Sequence, residues 1–202
     1  MAKNYAEIAF TPAVRTEQEK HGSRRQYERM ERLERGTELS FAEADFIGGR
    51  DSFYLASTGE NGYPYVQFRG GPPGFLKVLA AKTLGYADFR GNLQYVSVGN
   101  FKTNNKAALI LMDYPNRRRL KLYANVEIYD ASEAPELIEK LTVEGYNAKI
   151  ERAVLLHIEA FDWNCPQHIT PRYTMSEIAD ILAPFREEIR RLEKENERLK
   201  AK

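Results

Sequence analysis

The stretch from Leu120 to Ile128 restricts the fold of this chain most. Leu120, Leu122, Ala124, Val126 and Ile128 alternate with Lys121, Tyr123, Asn125 and Glu127. Successive side chains of an extended chain point to opposite faces, so this alternation predicts a strand with one buried and one wetted side. Upstream, Phe53-Tyr54-Leu55-Ala56-Ser57 and Tyr63-Pro64-Tyr65-Val66-Gln67-Phe68 flank Gly59-Glu60-Asn61-Gly62, which predicts an antiparallel hairpin. Further strands are expected at 75–80, 93–98, 107–112, 119–130 and 151–160, with a helix at 133–144 interrupting them. So few long helices between strands favour an antiparallel barrel over a doubly wound parallel sheet.

Helices are expected at the two ends. Thr16-Glu17-Gln18-Glu19 has the form of a capping box, and Tyr27, Met30 and Leu33 give a thin apolar stripe ending at Gly36, which predicts a peripheral helix. Ser40-Phe41-Ala42-Glu43 repeats the box, with Phe41, Ala44 and Ile47 set to face a core before Gly48-Gly49 stops the helix. A third box, Thr174-Met175-Ser176-Glu177, precedes Pro184, which reads as the first turn of a new helix. Beyond it, Phe185, Ile189, Leu192, Asn196 and Leu199 fall at alternating four- and three-residue spacings, the pattern of a coiled-coil seam with one polar position. Two readings stand for this tail: pairing with a partner's tail, or a helix against its own barrel or in solvent. The division expected is a helical extension over 1–39, a barrel domain over 40–172 and a helical tail over 173–202.

The 202 residues suffice for one core-bearing domain with helical appendages. Thirty basic residues nearly cancel 29 acidic ones, so no broad positive field argues for nucleic acid, although clusters such as Arg117-Arg118-Arg119 can serve as local anion sites. Cys165 is the only cysteine, which excludes an intrachain disulfide and fits a reducing compartment. With no apolar leader and no stretch of membrane-spanning length, the chain reads as cytoplasmic and free of membrane. One cysteine and three histidines fall short of a metal site, so none is expected. No GxSxG nucleophile signature is present.

The chemistry-bearing residues gather between 68 and 106. Arg69 ends one alternating segment and Lys77 lies in the next, separated by a Gly/Pro loop that turns the chain back beside itself. Two such cations converging on one anion, with the Ser97 hydroxyl and Asn100 amide completing the shell, would suit a phosphate. Gly70-Gly71-Pro72-Pro73-Gly74 is neither GxGxxG nor a P-loop, and no helical pattern follows it. Its expected use is to let the backbone, from Gly70 on, run close to a flat ring.

The order Phe68-Arg69-Gly70-Gly71-Pro72-Pro73-Gly74-Phe75-Leu76-Lys77-Val78, then Asp88-Phe89-Arg90-Gly91-Asn92, then Tyr95-Val96-Ser97-Val98-Gly99-Asn100-Phe101-Lys102 resembles the FMN-binding split-barrel proteins of the pyridoxamine 5′-phosphate oxidase-like family, over about residues 40–172. The resemblance implies a mainly β fold with peripheral helices, a six-stranded antiparallel split β-barrel of FMN-binding type with a C-terminal helix. It also implies a homodimer with flavin sites at the subunit interface. Within it, Arg69 and Lys77 look like the strand cations of the phosphate site and Ser97 like its strand hydroxyl. Val98, Asn100 and Lys102 look like the residues that follow it, Asn92 like a further flavin contact, and Gly70 like part of the turn bordering the ring.

Residues 161–172 form a Pro-punctuated polar and aromatic segment after a buried-looking strand, where functional loops often lie. By the resemblance, Trp163, Gln167 and Arg172 look like C-terminal flavin contacts offered to the other subunit; the alternative is a packed loop with Trp163 as a core anchor. The Arg-Leu-His substrate motif of the authentic vitamin B6 oxidase is absent, and Cys165-Pro166-Gln167-His168 stands in its place. The resemblance therefore implies a related FMN-dependent oxidoreductase moving hydride or electrons between a small molecule and a donor such as NAD(P)H. The alternatives are a non-enzymatic flavin carrier or redox sensor, and, more distantly, a haem protein with His157 or His168 as axial ligand. Cys165 reads as an inert thiol and His168 as a structural histidine; no catalytic acid or base is assigned.

Overall fold

The computed structural model describes residues 4–32, 36–163 and 166–201, with the side chain of Met30 also left undescribed. Leu33 of the expected N-terminal stripe and the Cys165 thiol thus lie outside the described residues. The chain divides into two compact units, one of residues 1–113 with 119–165 and one of residues 114–118 with 166–202.

The first unit is built on one seven-stranded sheet: β1 (Ser52–Thr58), β2 (Pro64–Gly70), β3 (Lys77–Ala80), β4 (Thr83–Phe89), β5 (Lys106–Asp113), β6 (Arg118–Asp130) and β7 (Ile150–Trp163). Their spatial order is β2-β1-β5-β6-β7-β4-β3, and the described pairings are antiparallel. The alternation of 120–128 is realised in β6, where Leu120, Leu122, Ala124 and Val126 are buried. The hairpin of β1 and β2 turns through Gly59–Gly62, with Gly62 at φ +81°, a conformation glycine adopts without a Cβ penalty.

The sheet curls on itself. Phe53 on β1, second from one end of the strand order, stacks on Phe75 at 5.6 Å and meets Tyr86 on β4, second from the other end, edge-on at 5.4 Å. These rings join Leu55, Leu84, Leu109, Leu111, Leu122 and Leu156 in one core. Burial of such side chains, at about 1.5–3 kcal/mol each, holds the two ends of the sheet together. The class is the expected split barrel, with seven strands in place of six. The strand missing from the pattern is β4, whose Leu84 to Asp88 are all buried; a strand covered on both faces shows no alternation to read.

Residues 93–98 do not form the expected strand. Val96–Thr103 is helix α5, entered through Tyr95 at φ +53°. Tyr-Val-Ser-Val has strand-like composition, but Ser97 and Phe101, four apart, are its buried residues, so packing of one helical face overrides local preference.

At the N-terminus α1 (Tyr5–Ala9), α2 (Pro12–Lys20) and α3 (Arg24–Glu31) form small helices. The N-cap of α2 is Thr11, with Pro12 in the first turn. Thr16 lies inside the helix, its hydroxyl donating to the Pro12 carbonyl at 3.1 Å. The box at Ser40 starts α4 (Phe41–Gly48) as read from the sequence, but Phe46 and Ile47 are its core residues while Phe41 is exposed. Helix α6 (Pro135–Leu141) covers β4 and β7, placing Leu141 against Ala87 and Ala153.

In the second unit, Thr174 caps α7 (Met175–Lys200), a helix of 26 residues that continues through Pro184. The expected break there is absent. Among the described residues no helix is both long and apolar enough to cross a membrane.

Candidate functional site

The inner face of β2 carries Gln67 and Arg69, two residues apart and thus on one side of the strand. Asp88, near the end of β4, is paired in register with Arg152 on β7 and is 2 % exposed. Both arginines reach it. Arg69 Nη1 donates to one carboxylate oxygen at 2.6 Å and Arg152 Nε to the other at 2.9 Å. A buried carboxylate flanked by two guanidinium groups meets the desolvation cost through charge-assisted hydrogen bonds. Burial alone would lower the Arg152 pKa, but its bonds to Asp88 and Glu151 outweigh that and raise it, so the group stays charged. Tyr86, fully buried below, is pushed up mainly by burial against the opposing pull of Arg69.

These side chains border a cavity of about 220 Å³ whose other walls include Asn92, Leu93, Tyr95, Ser97, Val98 and Glu151. The loop from β4 to α5 reaches it by placing Leu93 and Tyr95 at positive φ, conformations that cost non-glycine residues free energy and tend to occur at functional sites. Tyr95 is held from two sides: its hydroxyl donates to Glu151 at 3.3 Å, and the Arg152 guanidinium lies 4.9 Å from its ring centre. Ser97 donates to Gln67 Oε1 at 2.8 Å. Arg69 retains a buried Nε with no hydrogen-bond partner. Below it lies the Tyr86 hydroxyl, which interacts with the same guanidinium.

A second cavity of about 540 Å³ shares Tyr95, Val98 and Arg152 with the first. Phe101, Val126 and Ile128 supply apolar walls, and Lys102, Asp130 and Glu133 are charged residues on its lining.

The sequence-derived residues distribute as follows. Arg69, Asn92, Ser97 and Val98 come together at the first cavity, with Ser97 on a helix and not on a strand. Lys102 lines the second. Asn100 donates to the Ser57 hydroxyl at 2.9 Å and borders a further concavity with Gly59 and Tyr63. Gly70 ends β2 beside Arg69, and a Cβ there would lie 2.8 Å from the Phe68 ring. Lys77 does not converge with Arg69. Its ammonium donates to the Lys140 and Thr142 carbonyls at 2.9 and 2.8 Å, at the C-terminal end of α6, where a cation meets the negative end of the helix dipole. Their strands occupy opposite ends of the sheet order, which the Gly/Pro loop between them does not disclose.

Trp163 packs edge-on against Phe46 at 4.7 Å and donates its indole N–H to Glu43 at 2.8 Å, the core-anchor arrangement. Gln167 and Arg172 belong to the second unit, where the Arg172 guanidinium lies 5.1 Å from the Tyr114 ring centre. His157 Nε2 is 3.2 Å from Glu127. Sequence reasoning missed Asp88, Tyr95, Glu151 and Arg152. For Asp88 a signal existed: an acidic residue inside the otherwise apolar run Leu84–Phe89 needs a buried cationic partner.

A curled antiparallel barrel with a buried Arg–Asp–Arg cluster at one cavity defines a split-barrel protein with a built polar site. The profile of the pyridoxamine 5′-phosphate oxidase family matches residues 41–163, and the chain belongs to that family. Among solved structures it is similar to a candidate pyridoxamine 5′-phosphate oxidase from Lactobacillus delbrueckii, at 24 % identity and TM-score 0.47 over 62 % of this chain and 93 % of that one. It is also similar to HupZ from Group A Streptococcus, at 13 % identity and TM-score 0.48 over 67 % and 99 % of the two chains. An FMN-binding protein from Syntrophomonas wolfei matches at 12 % identity and TM-score 0.46 over 73 % and 97 %. The chain has no match among curated protein sequences.

Proposed function

We propose that this chain binds FMN at the Arg69 cavity and serves as an FMN-dependent oxidoreductase. Membership of the family supports the flavin, and the observation that carries its placement is the convergence of Arg69, Asn92, Ser97 and Val98 on one cavity. Arg69 holds Asp88 through Nη1 while its side chain lines the cavity, where a guanidinium suits phosphate. The first cavity alone is smaller than the ~300–1,000 Å³ of ordinary ligand pockets, whereas the adjoining one falls inside that range. The smaller would take the phosphate end, and the apolar walls of Val98, Phe101, Val126 and Ile128 would lie along a flat ring. Bound FMN supplies hydride uptake and release, while the protein positions it and sets its surroundings.

The assembly proposed is a homodimer. Tyr54, Val66, Phe68 and Ile110 stand exposed on the outer face of β1, β2 and β5, with Tyr54 paired in register to both Phe68 and Ile110. A contiguous apolar patch on a sheet face is the kind of surface a second copy covers.

Absorbance of the purified chain, alone and after addition of FMN and dialysis, tests the reading. Retained bands near the flavin maxima are expected; a chain that stays colourless and leaves all FMN in the dialysate removes it. A second reading, a flavin carrier without turnover, is favoured by the Cys165-Pro166-Gln167-His168 segment standing in the place of the oxidase's substrate motif. Oxidation of NAD(P)H by the FMN-loaded protein separates the two, since a carrier leaves the nicotinamide unchanged.

A further inference from the structure

The continuity of α7 through Pro184 changes what its apolar side chains form. Read back from Leu199, the seam no longer begins at Phe185: Met175, Ile178, Leu182, Phe185, Ile189, Leu192, Asn196 and Leu199 keep alternating three- and four-residue steps along one unbroken helix. That is three and a half heptads, with Met175, Leu182, Ile189 and Asn196 at the a positions and Ile178, Phe185, Leu192 and Leu199 at d. Pro184 falls at a c position, on the side away from the seam. No residue of α7 is buried, and Leu199 retains 64 % of its surface.

We propose that α7 pairs with α7 of a second copy as a parallel, in-register two-stranded coiled coil. Asn196 decides the direction. In a parallel pair a packs against a, so the two Asn196 amides meet and satisfy each other. In an antiparallel pair a packs against d, and each Asn196 would face a hydrocarbon side chain. A single a-position Asn is a known device for fixing two strands in one register. Ile189 at a beside Leu192 at d, the combination that favours dimers, sits next to it.

The flanking charges agree with this arrangement. Glu195 at g faces Lys200 at the following e position of the partner helix, an opposite-charge pair. Glu188 at g would face the partner's Glu193, but Arg191 of its own helix holds Glu188 at 2.7 Å and Glu195 at 3.3 Å, which offsets the repulsion. Ile181 at g extends the apolar stripe toward the aliphatic stem of the partner's Arg186. The second copy is therefore matched to the first in its apolar seam, in the Asn196 layer and in the Glu195–Lys200 pair.

The test is disulfide formation in the full-length chain carrying Cys165→Ser and Leu199→Cys, with Lys194→Cys on the outer f position as the control. In a parallel register the two position-199 thiols lie in one layer. The covalent dimer should form about 100-fold faster than in the control, the ratio of a millimolar effective concentration to a ~10 µM solution, and should vanish on reduction. Equal rates at the two positions overturn the proposal, whether α7 is antiparallel or packed elsewhere. A second variant, Asn196→Leu, is expected to lose the single register and give species larger than the parent by light scattering; an unchanged mass would remove the role assigned to Asn196. Neither readout depends on flavin, so failure here leaves the FMN reading intact, and the reverse also holds.

Discussion

Arg69 on β2, at one end of the sheet order, and Asp88 on β4, second from the other end, are joined by a 2.6 Å hydrogen bond. One contact thereby helps to close the barrel and fixes the orientation of the guanidinium that lines the cavity. The two roles separate on substitution, because Arg152 still reaches Asp88 when Arg69 is removed.

Arg69→Ala should therefore leave a folded protein with weakened FMN binding. A charge-assisted hydrogen bond contributes about 1.5–3 kcal/mol, so a 10- to 100-fold loss of affinity is expected. Arg69→Lys should recover little, since an ammonium lacks the fork that serves Asp88 and a second anion together. Quenching of flavin fluorescence on titration measures it, and an unaltered dissociation constant would take Arg69 out of the site.

Asp88→Ala leaves two guanidinium groups facing each other around a mostly buried position, Arg69 and Arg152 having side chains only 16 % and 13 % exposed. Removing one partner from a buried charge cluster costs about 3–5 kcal/mol. Chemical denaturation should show a loss of that order, larger than for Arg69→Ala. Equal midpoints for the two variants would show that Asp88 is not the hub of the cluster.

Acid sensitivity should centre partly on Glu43. Burial would raise this carboxyl, but hydrogen bonds from Ser40 and Trp163 outweigh it and hold the pKa below its ordinary value of 4.5. A depressed carboxyl pKa contributes stability that is complete above the unfolded value and is lost as pH falls through the folded one. Trp163→Phe removes the indole donor, so the gap in stability between wild type and variant should be widest above pH 4.5 and narrow below it. Thermal unfolding followed by circular dichroism from pH 3 to 7 checks this; a gap independent of pH would mean that Trp163 acts through packing alone.

Gly36→Ala should be costly for a chain position that looks like a plain helix stop. Gly36 has φ +74°, its carbonyl accepts from Phe161 N at 2.6 Å, and a Cβ would collide with the Phe161 carbonyl oxygen. Strain of this kind costs about 1–3 kcal/mol, and the backbone must also move. A melting temperature within a degree of wild type would refute the close approach.

Much of the barrel was legible in the linear pattern. Alternation announced β6, the Gly59–Gly62 turn announced the first hairpin, and Ser40 and Thr174 announced their helices, because each signal is local and acts through one or two neighbouring hydrogen bonds. β4 escaped for a physical reason: both of its faces are covered, by the core and by α6, so its residues carry no period. The helix at Val96–Thr103 escaped because a strand-like composition was overridden by the burial of Ser97 and Phe101 against the barrel. The pairing of Arg69 with Lys77 failed likewise, since the carbonyls that hold Lys77 belong to residues more than 60 positions away.

The amino-acid order by itself determined the family, the antiparallel class, the caps at Ser40 and Thr174 and the apolar spacing from Phe185 to Leu199, all of which depend on spacing along the chain. Only the tertiary structure decided that Arg69 meets Asp88 and Arg152, that Trp163 lies on Glu43, and that Pro184 leaves α7 whole. The first two depend on which distant segments are brought within hydrogen-bonding distance when the sheet curls, and the last on how the backbone accommodates a proline that lacks an N–H.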